Sequence, residues 1–431
     1  MTVRGTQVAW ARARAVVFRF AVAVVLFAAA QAAFAGPSAC EPDGVQPGGA
    51  IYRICMPASQ PWNGDLVIWA HGYVEVTRPV AIPEEQLCLG GGSFCVPDIS
   101  NALGFGFITT SYRMNGMVTT GVEDVVELVD LFTAAHGAPH RVYLIGASEG
   151  GLVTALGAER RPDVFDGGLA ACGPIGDFHR QIDYYGDFRV LFDYFFPGLI
   201  PGTPMSIPDD LIADFETFFN DTVVPVVFDP SNASRWAQLM KTAHAPTDPN
   251  DPTSQVKTLH DGLWYNVMAT NDITAKLGGQ PFDNIGRMYR GSDDDAALNA
   301  AVARFAADPD ALAAADALFA TSGDLHEPLV TLHTTLDQQV AFVQELLYNQ
   351  KLRNEGASGE HVLVPAFRYG HCNFKPWEAL LSFAILIGRV NGAPPAGLEN
   401  LLHDPADRDA FLRAARQAGL LPARAAHRRA R

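Results

Sequence analysis

A formal charge of −16 over 431 residues, with 48% hydrophobic content, excludes the clustered basic footprint of a nucleic-acid-binding chain and leaves enough apolar sequence for a large core. The length admits one large α/β domain carrying an insertion, or two ordinary domains.

Met1 to Ala35 reads as a secretory signal peptide. Arg4, Arg12, Arg14 and Arg19 precede the apolar run Phe20 to Ala30, and Ala33-Phe34-Ala35 offers a small-x-small cleavage site ahead of Gly36. The run is shorter than the ~20 residues of a spanning helix, so cleavage after Ala35, a secreted or periplasmic product and no stable membrane anchor are expected. Cys40 follows Pro37-Ser38-Ala39, which lacks the apolar residue of a lipoprotein acylation site. Export makes six cysteines a candidate disulfide set, with fifteen possible pairings. Spacing favours Cys40 with Cys55, Cys88 with Cys95 around the loop LGGGSF, and Cys172 with Cys372; two unpaired buried thiols are the alternative for the last pair. No CxxC or HxxxH spacing suggests a metal site, and no cofactor motif is evident.

Short apolar runs at Ala50 to Met56, Asp65 to Ala70 and Phe105 to Ser111 read as strands, the second running into the turn His71-Gly72-Tyr73. Thr119 to His136 repeats its valines at helical spacing. Arg141 to Gly151, RVYLIGASEGG, is strand, tight turn and helix with Ser148 at the apex; small residues at Gly146 and Gly150 let the backbone turn sharply. Gly167 to Cys172 is the next strand. Strands alternating with helices predict a mostly parallel, doubly wound sheet, with residues 36–173 its first part.

Between 174 and 324 the alternation stops. An aromatic cluster from Asp183 to Phe196 leads into helical stretches at Asp209 to Phe219, Ser234 to Ala243, Val256 to Met268 and Asp295 to Ala307, which together predict an inserted helical cap or lid. Each ring of the cluster has a plain core role available, but Tyr184, Tyr185 and Phe188 are the candidates for contacting an apolar substrate group. Asp293-Asp294-Asp295 reads as a solvated helix start, with a metal site the minor reading. The sheet pattern resumes over 325–418. Strands at Pro328 to His333 and His361 to Phe367 lead to Asp337 and His371, a helix covers Pro376 to Val390, and 419–431 is a basic tail expected to be disordered.

Taken singly, Ser148 suits a turn, Asp337 a helix N-cap and His371 a core or surface histidine. Taken together, GASEGG around Ser148, LHTTLDQQV around Asp337, YGHCNF around His371 and AHGY at His71 to Tyr73 resemble the α/β-hydrolases, whose nucleophile, acid and histidine follow strands in this order. The resemblance covers roughly 50–173 and 325–392. It implies a nucleophilic Ser148, a His371 base, an orienting Asp337 and an oxyanion hole from the backbone N–H groups of Tyr73 and Glu149. His71 would orient the oxyanion turn. Two departures stand out: many members have glycine where this chain has Thr334, and some tannase and feruloyl-esterase relatives join a cysteine beside the serine to one beside the histidine. Here Ala147 holds the first place, so Cys172 would have to replace it.

The resemblance and the aromatic insertion together imply a secreted serine hydrolase of carboxylic esters, acting on a small-molecule ester or short peptide. A serine aminopeptidase or dipeptidyl peptidase, with Glu149, Asp177 or Asp183 anchoring the substrate's ammonium, is the rival reading, and an inactive binding protein on the same fold is the third.

Overall fold

The computed structural model describes residues 39–422 apart from Gly90, Gly91 and Ser93, so the expected signal peptide and residues 423–431 of the expected tail lie outside the described residues, whereas Leu420 and Leu421, placed in that tail, pack against the core. Eleven strands occur in chain order among them. They are β1 (Ala39–Cys40), β2 (Gly44–Val45), β3 (Ile51–Met56), β4 (Asp65–Ala70), β5 (Cys88–Leu89), β6 (Phe94–Cys95), β7 (Gly106–Thr110), β8 (Arg141–Ala147), β9 (Gly167–Ala171), β10 (Leu329–Leu336) and β11 (His361–Tyr369). One sheet runs β1-β3-β7-β4-β8-β9-β10-β11, with β2 on β3, while β5 and β6 form a separate hairpin. From β7 to β11 every pairing is parallel, and β1, β2 and β3 add an antiparallel edge.

β4 shows why its sequence lacks polar alternation. All six of its residues are buried. Leu66 and Ile68 face the helix Gly121–His136 with Val125, Leu128 and Phe132, whereas Val67 and Trp69 face the helix Pro376–Asn391 with Leu380, Phe383 and Leu386. A parallel sheet covered on both sides needs apolar side chains in both directions.

Between β9 and β10 the described chain carries helices joined by loops and no strand, apart from an isolated bridge between Thr203 and Ser206. The insertion has its own core, in which Phe188, Phe192, Phe215, Leu259, Leu263 and Phe282 are buried together. Its helices depart from the sequence-based expectation at their ends. The stretch expected as one helix over 209–219 breaks at Asp214, whose backbone (φ −131°, ψ 30°) is not helical, into Asp209–Ala213 and Phe215–Phe218. The helix expected to reach Ala307 stops at Ala301, where Val302 turns extended (φ −63°, ψ 140°) and Arg304 crosses to the carbonyls of Asn284 and Arg287. The one expected to end at Met268 spans Thr253–Leu277 and ends at Gly278 in the left-handed conformation (φ 74°). Helices Pro309–Phe319, Val343–Glu355 and Pro405–Gln417 were not anticipated, although the first and last open on an Asp N-cap followed by proline. Asp294 does start a helix, accepting a bond from Ala297 N–H.

The six cysteines are bonded as Cys40–Cys55, Cys88–Cys95 and Cys172–Cys372. Such bonding is compatible with an extracellular location. No helix among the described residues is long and apolar enough to cross a membrane. Cys172–Cys372 closes the longest loop, a sequence separation of 200, for which chain entropy is worth roughly 5 kcal/mol. The double variant Cys172→Ser/Cys372→Ser should therefore unfold at a clearly lower temperature than the parent in a thermal melt; an unchanged midpoint would show that the bond contributes nothing.

Candidate active site

Ser148 stands where β8 passes into the helix Glu149–Arg160. Its backbone is at φ 58°, ψ −121°, a conformation that costs an L-residue about 1–3 kcal/mol and is held only by its surroundings. Those surroundings are specific: Ser148 N–H donates to Ala171 O at 2.8 Å, and Ser148 O accepts from Gly151 N–H at 2.9 Å. The helix begins hard against β4. A Cβ on Gly150 would strike the carbonyls of Ala70 and His71, and one on Gly151 would lie 2.6 Å from Ala171 O.

The three residues drawn from distant stretches form a line in which His371 lies within hydrogen-bond range of both Ser148 and Asp337. Ser148 Oγ is 2.9 Å from His371 Nε2, and His371 Nδ1 is 2.8 Å from Asp337 Oδ2. Asp337 is buried, its other oxygen accepting from the backbone N–H groups of Gln339 and Val340 at 2.9 Å. Burial pushes this carboxyl up, but the imidazoles of His371 and His333 outweigh it and hold the group well below the usual carboxylate range. Thr334, standing where many α/β-hydrolases have glycine, donates through its hydroxyl to Gly370 O at 2.6 Å and so ties the Asp337 loop to the residue before His371. The turn after β4 is clamped by Gln86, whose Oε1 accepts from Gly72 N–H at 2.6 Å and whose Nε2 donates to Tyr73 O at 3.3 Å. His71 is buried and kept neutral by that burial, and its Nδ1 lies 2.7 Å from Gly72 O. Ser148, Tyr73 and Glu149 line a largely apolar cavity of about 810 Å³, counting its open mouth, whose far wall includes Tyr185, Tyr265 and Phe282 of the insertion.

A serine at a strained strand-to-helix turn, and a histidine and an acid after later strands of a mostly parallel sheet, decide the architecture. The chain has the α/β-hydrolase fold. No protein-family model matches the sequence, and no curated protein does either. Solved structures with similar backbones include a feruloyl esterase B from Aspergillus oryzae (14% identity, TM-score 0.47, 80% of this chain and 79% of that one). They also include an esterase of Pyrococcus furiosus (12%, 0.42, 82% and 91%) and a Pyrococcus horikoshii acylaminoacyl peptidase (10%, 0.43, 85% of this chain). The chain spans only 44% of that peptidase's length.

Within this hydrolase fold the residues expected to touch substrate have separate fates. Tyr185 lines the cavity; Tyr184 does not, and Phe188 is buried in the insertion's own core against Gly262. The two tyrosine hydroxyls instead grip the loop after Asp337, Tyr184 donating to Gln338 O at 2.9 Å and Tyr185 to Gln339 O at 2.8 Å. Asp261 strengthens that grip by accepting from the side chains of Gln338 (2.7 Å) and Gln339 (2.8 Å). None of Gln86, Asp261, Gln338 and Gln339 was singled out from the sequence, where a glutamine beside a turn carries no distinguishing pattern. Asp177 caps the helix Phe178–Phe195 and Asp183 pairs with Arg287, and neither lines the cavity. Cys172, Cys372 and His371 cluster within 4.8 Å, but both sulfurs are spent in their disulfide and neither is a thiolate.

Glu149 behaves unlike a surface acid. It is 5% exposed, one oxygen accepts from Val118 N–H at 2.7 Å, and the other has no partner among the described residues. Burial pushes its carboxyl up to about 8, against that bond and Lys276. The folded protein thus holds this proton more tightly than the unfolded chain, so stability falls as pH rises from the ordinary value of 4.5 through about 8. Glu149→Gln should abolish this contribution. Melting temperatures of variant and parent should lie closest near pH 5 and separate by pH 9 with the variant higher, and parallel curves would contradict the buried acid.

Proposed function

We propose that the chain is a secreted serine hydrolase that cleaves carboxylic esters through an acyl-serine intermediate. The single observation that carries this reading is the continuous hydrogen-bonded line from Ser148 Oγ through His371 to Asp337, opening on an apolar cavity. In this reading His371 Nε2 takes the Ser148 proton as Oγ attacks the ester carbonyl, and Asp337 keeps Nδ1 protonated and stabilises the imidazolium that forms. The carbonyl oxygen, now an anion, is met by the backbone N–H groups of Tyr73 and Glu149, with Gln86 fixing the turn that presents Tyr73. His371 then returns the proton to the leaving alcohol. A water activated by the same imidazole hydrolyses the acyl-serine. The helical insertion of 174–324 acts as a cap over the acyl group, steadied by the tyrosine bonds to the Asp337 loop.

The apolar lining favours an ester of a hydrophobic acid or alcohol. The commitment of Asp177 and Asp183 elsewhere weighs against an aminopeptidase, leaving Glu149 as the lone acid at the cavity. The leader-like Met1 to Ala35 and the three disulfides support the secreted part of this reading. On a panel of p-nitrophenyl acyl esters and aminoacyl or dipeptidyl anilides, the protein should turn over esters of medium apolar acids in preference to anilides. Ser148→Ala should lower kcat by about 10⁴-fold or more, and Asp337→Asn by about 10³–10⁴-fold. Full turnover by Ser148→Ala would overturn the reading, and preference for the free-amine anilides would move it to the peptidase.

A further inference from the structure

Behind Asp337 lies a buried group that the proposed reaction does not use. His333, on β10, is 0% exposed. Its Nδ1 is 3.0 Å from Glu345 Oε1 on the helix Val343–Glu355, and its Nε2 is 2.9 Å from Val340 O. Nε2 also lies 3.6 Å from Asp337 Oδ2, too far for a hydrogen bond but close for a charge, and Oδ2 is the oxygen that receives His371 Nδ1. Glu345 Oε2 accepts from Thr331 Oγ1 at 2.7 Å, and His361 on β11, kept neutral by burial, reaches the same hydroxyl at 2.9 Å. Phe342, also against the ring, presents its own ring edge-on and carries no charge.

We propose that His333 is a standing imidazolium, paired with Glu345, that positions Asp337 and moderates its charge, so that His371 is free to act as a base at lower pH than Asp337 alone would allow. This rests on the Ser148–His371–Asp337 reading given above. Both ring nitrogens face oxygens: the Val340 carbonyl can only accept, and Glu345 accepts when ionised. A neutral imidazole would leave a lone pair against an acceptor in a dry site unless the proton sat on Glu345. That neutral pair would satisfy the same distances, and the Asp337 carboxylate beside Nε2 tips the balance to the ion pair. Consistent with the geometry, burial alone would pull the His333 imidazole down, yet Asp337 and Glu345 raise it to about 10. The mechanism follows from Coulomb's law. Asp337 attracts a proton onto His371, and a cation on the far side of the same carboxylate weakens that attraction in the resting protein.

His333 is therefore a positioning residue, and its test must separate this role from mere packing. In His333→Gln the acid limb of the kcat/KM profile should move to higher pH by about one unit. A packing role would lower kcat/KM at every pH without moving the limb, and an unmoved limb in an active variant would overturn the proposal. Should the single variant fail to fold, His333→Gln/Glu345→Gln leaves no unpaired charge behind; its limb should move the same way, because Glu345 sits beyond the ring from Asp337. Independently of turnover, the ring ¹⁵N signals of the wild-type protein, with His333 assigned through the variant, should show two protonated nitrogens at pH 8; one protonated nitrogen would overturn it. Ser148→Ala run alongside keeps the two readings apart. Activity that survives it defeats the serine mechanism, whereas the ring signals judge His333 whatever the nucleophile.

Discussion

The structure depends on a backbone conformation that Ser148 adopts against its own preference. Four non-glycine residues with positive φ, Tyr112, Ser148, Cys172 and Cys372, follow β7, β8, β9 and β11 respectively. These strands run parallel, so their C-terminal ends share one edge of the sheet. Strain is concentrated along that edge and is tolerated because the elements behind it are close-packed: glycine at 150 and 151 lets the helix after Ser148 touch the backbones of β4 and β9, and the Cys172–Cys372 bond ties two of the strained positions together. The serine hydroxyl projects from this edge because the rigid sheet leaves the turn no other course.

Burial acts on the ionisable groups of this edge in opposite directions, and the neighbours decide which way. Glu149 has one backbone N–H and a distant lysine to offset its desolvation, and it keeps its proton up to about 8. Asp337 has imidazoles on two sides and two backbone N–H groups, and it is held ionised despite equally deep burial. Two acids a few residues from the reacting atoms thereby take different charge states at neutral pH. One contributes a standing negative charge behind His371 and the other adds none beside the serine, where the proposed oxyanion would form.

The sheet was legible in the sequence because buried parallel strands leave short apolar runs, and the turn at Ser148 because its glycines are demanded by backbone contacts too close for a Cβ. The alternation of strand and helix, and its interruption after residue 173, were legible for the same reason. Helix ends in the insertion were not. Asp214 and Val302 break helices that local pattern would continue, and beside Val302 the reach of Arg304 to Asn284 is a contact that no local pattern contains. Side-chain roles were harder still. Tyr184 and Tyr185 stand side by side in a run of aromatics, yet only Tyr185 lines the cavity, and both hydroxyls meet a loop more than 150 residues away. His333 looks like an ordinary strand histidine until Glu345 arrives from the following helix.

The central claim is that Ser148 Oγ is an activated nucleophile because His371 and Asp337 stand behind it. The most direct measurement is peptide mapping by mass spectrometry after treatment with a fluorophosphonate, with and without prior heat denaturation. The account predicts one phosphonyl adduct per chain, on the peptide bearing Ser148, formed by the native protein and lost on denaturation. An unlabelled native protein, or an adduct on a different residue, would contradict it.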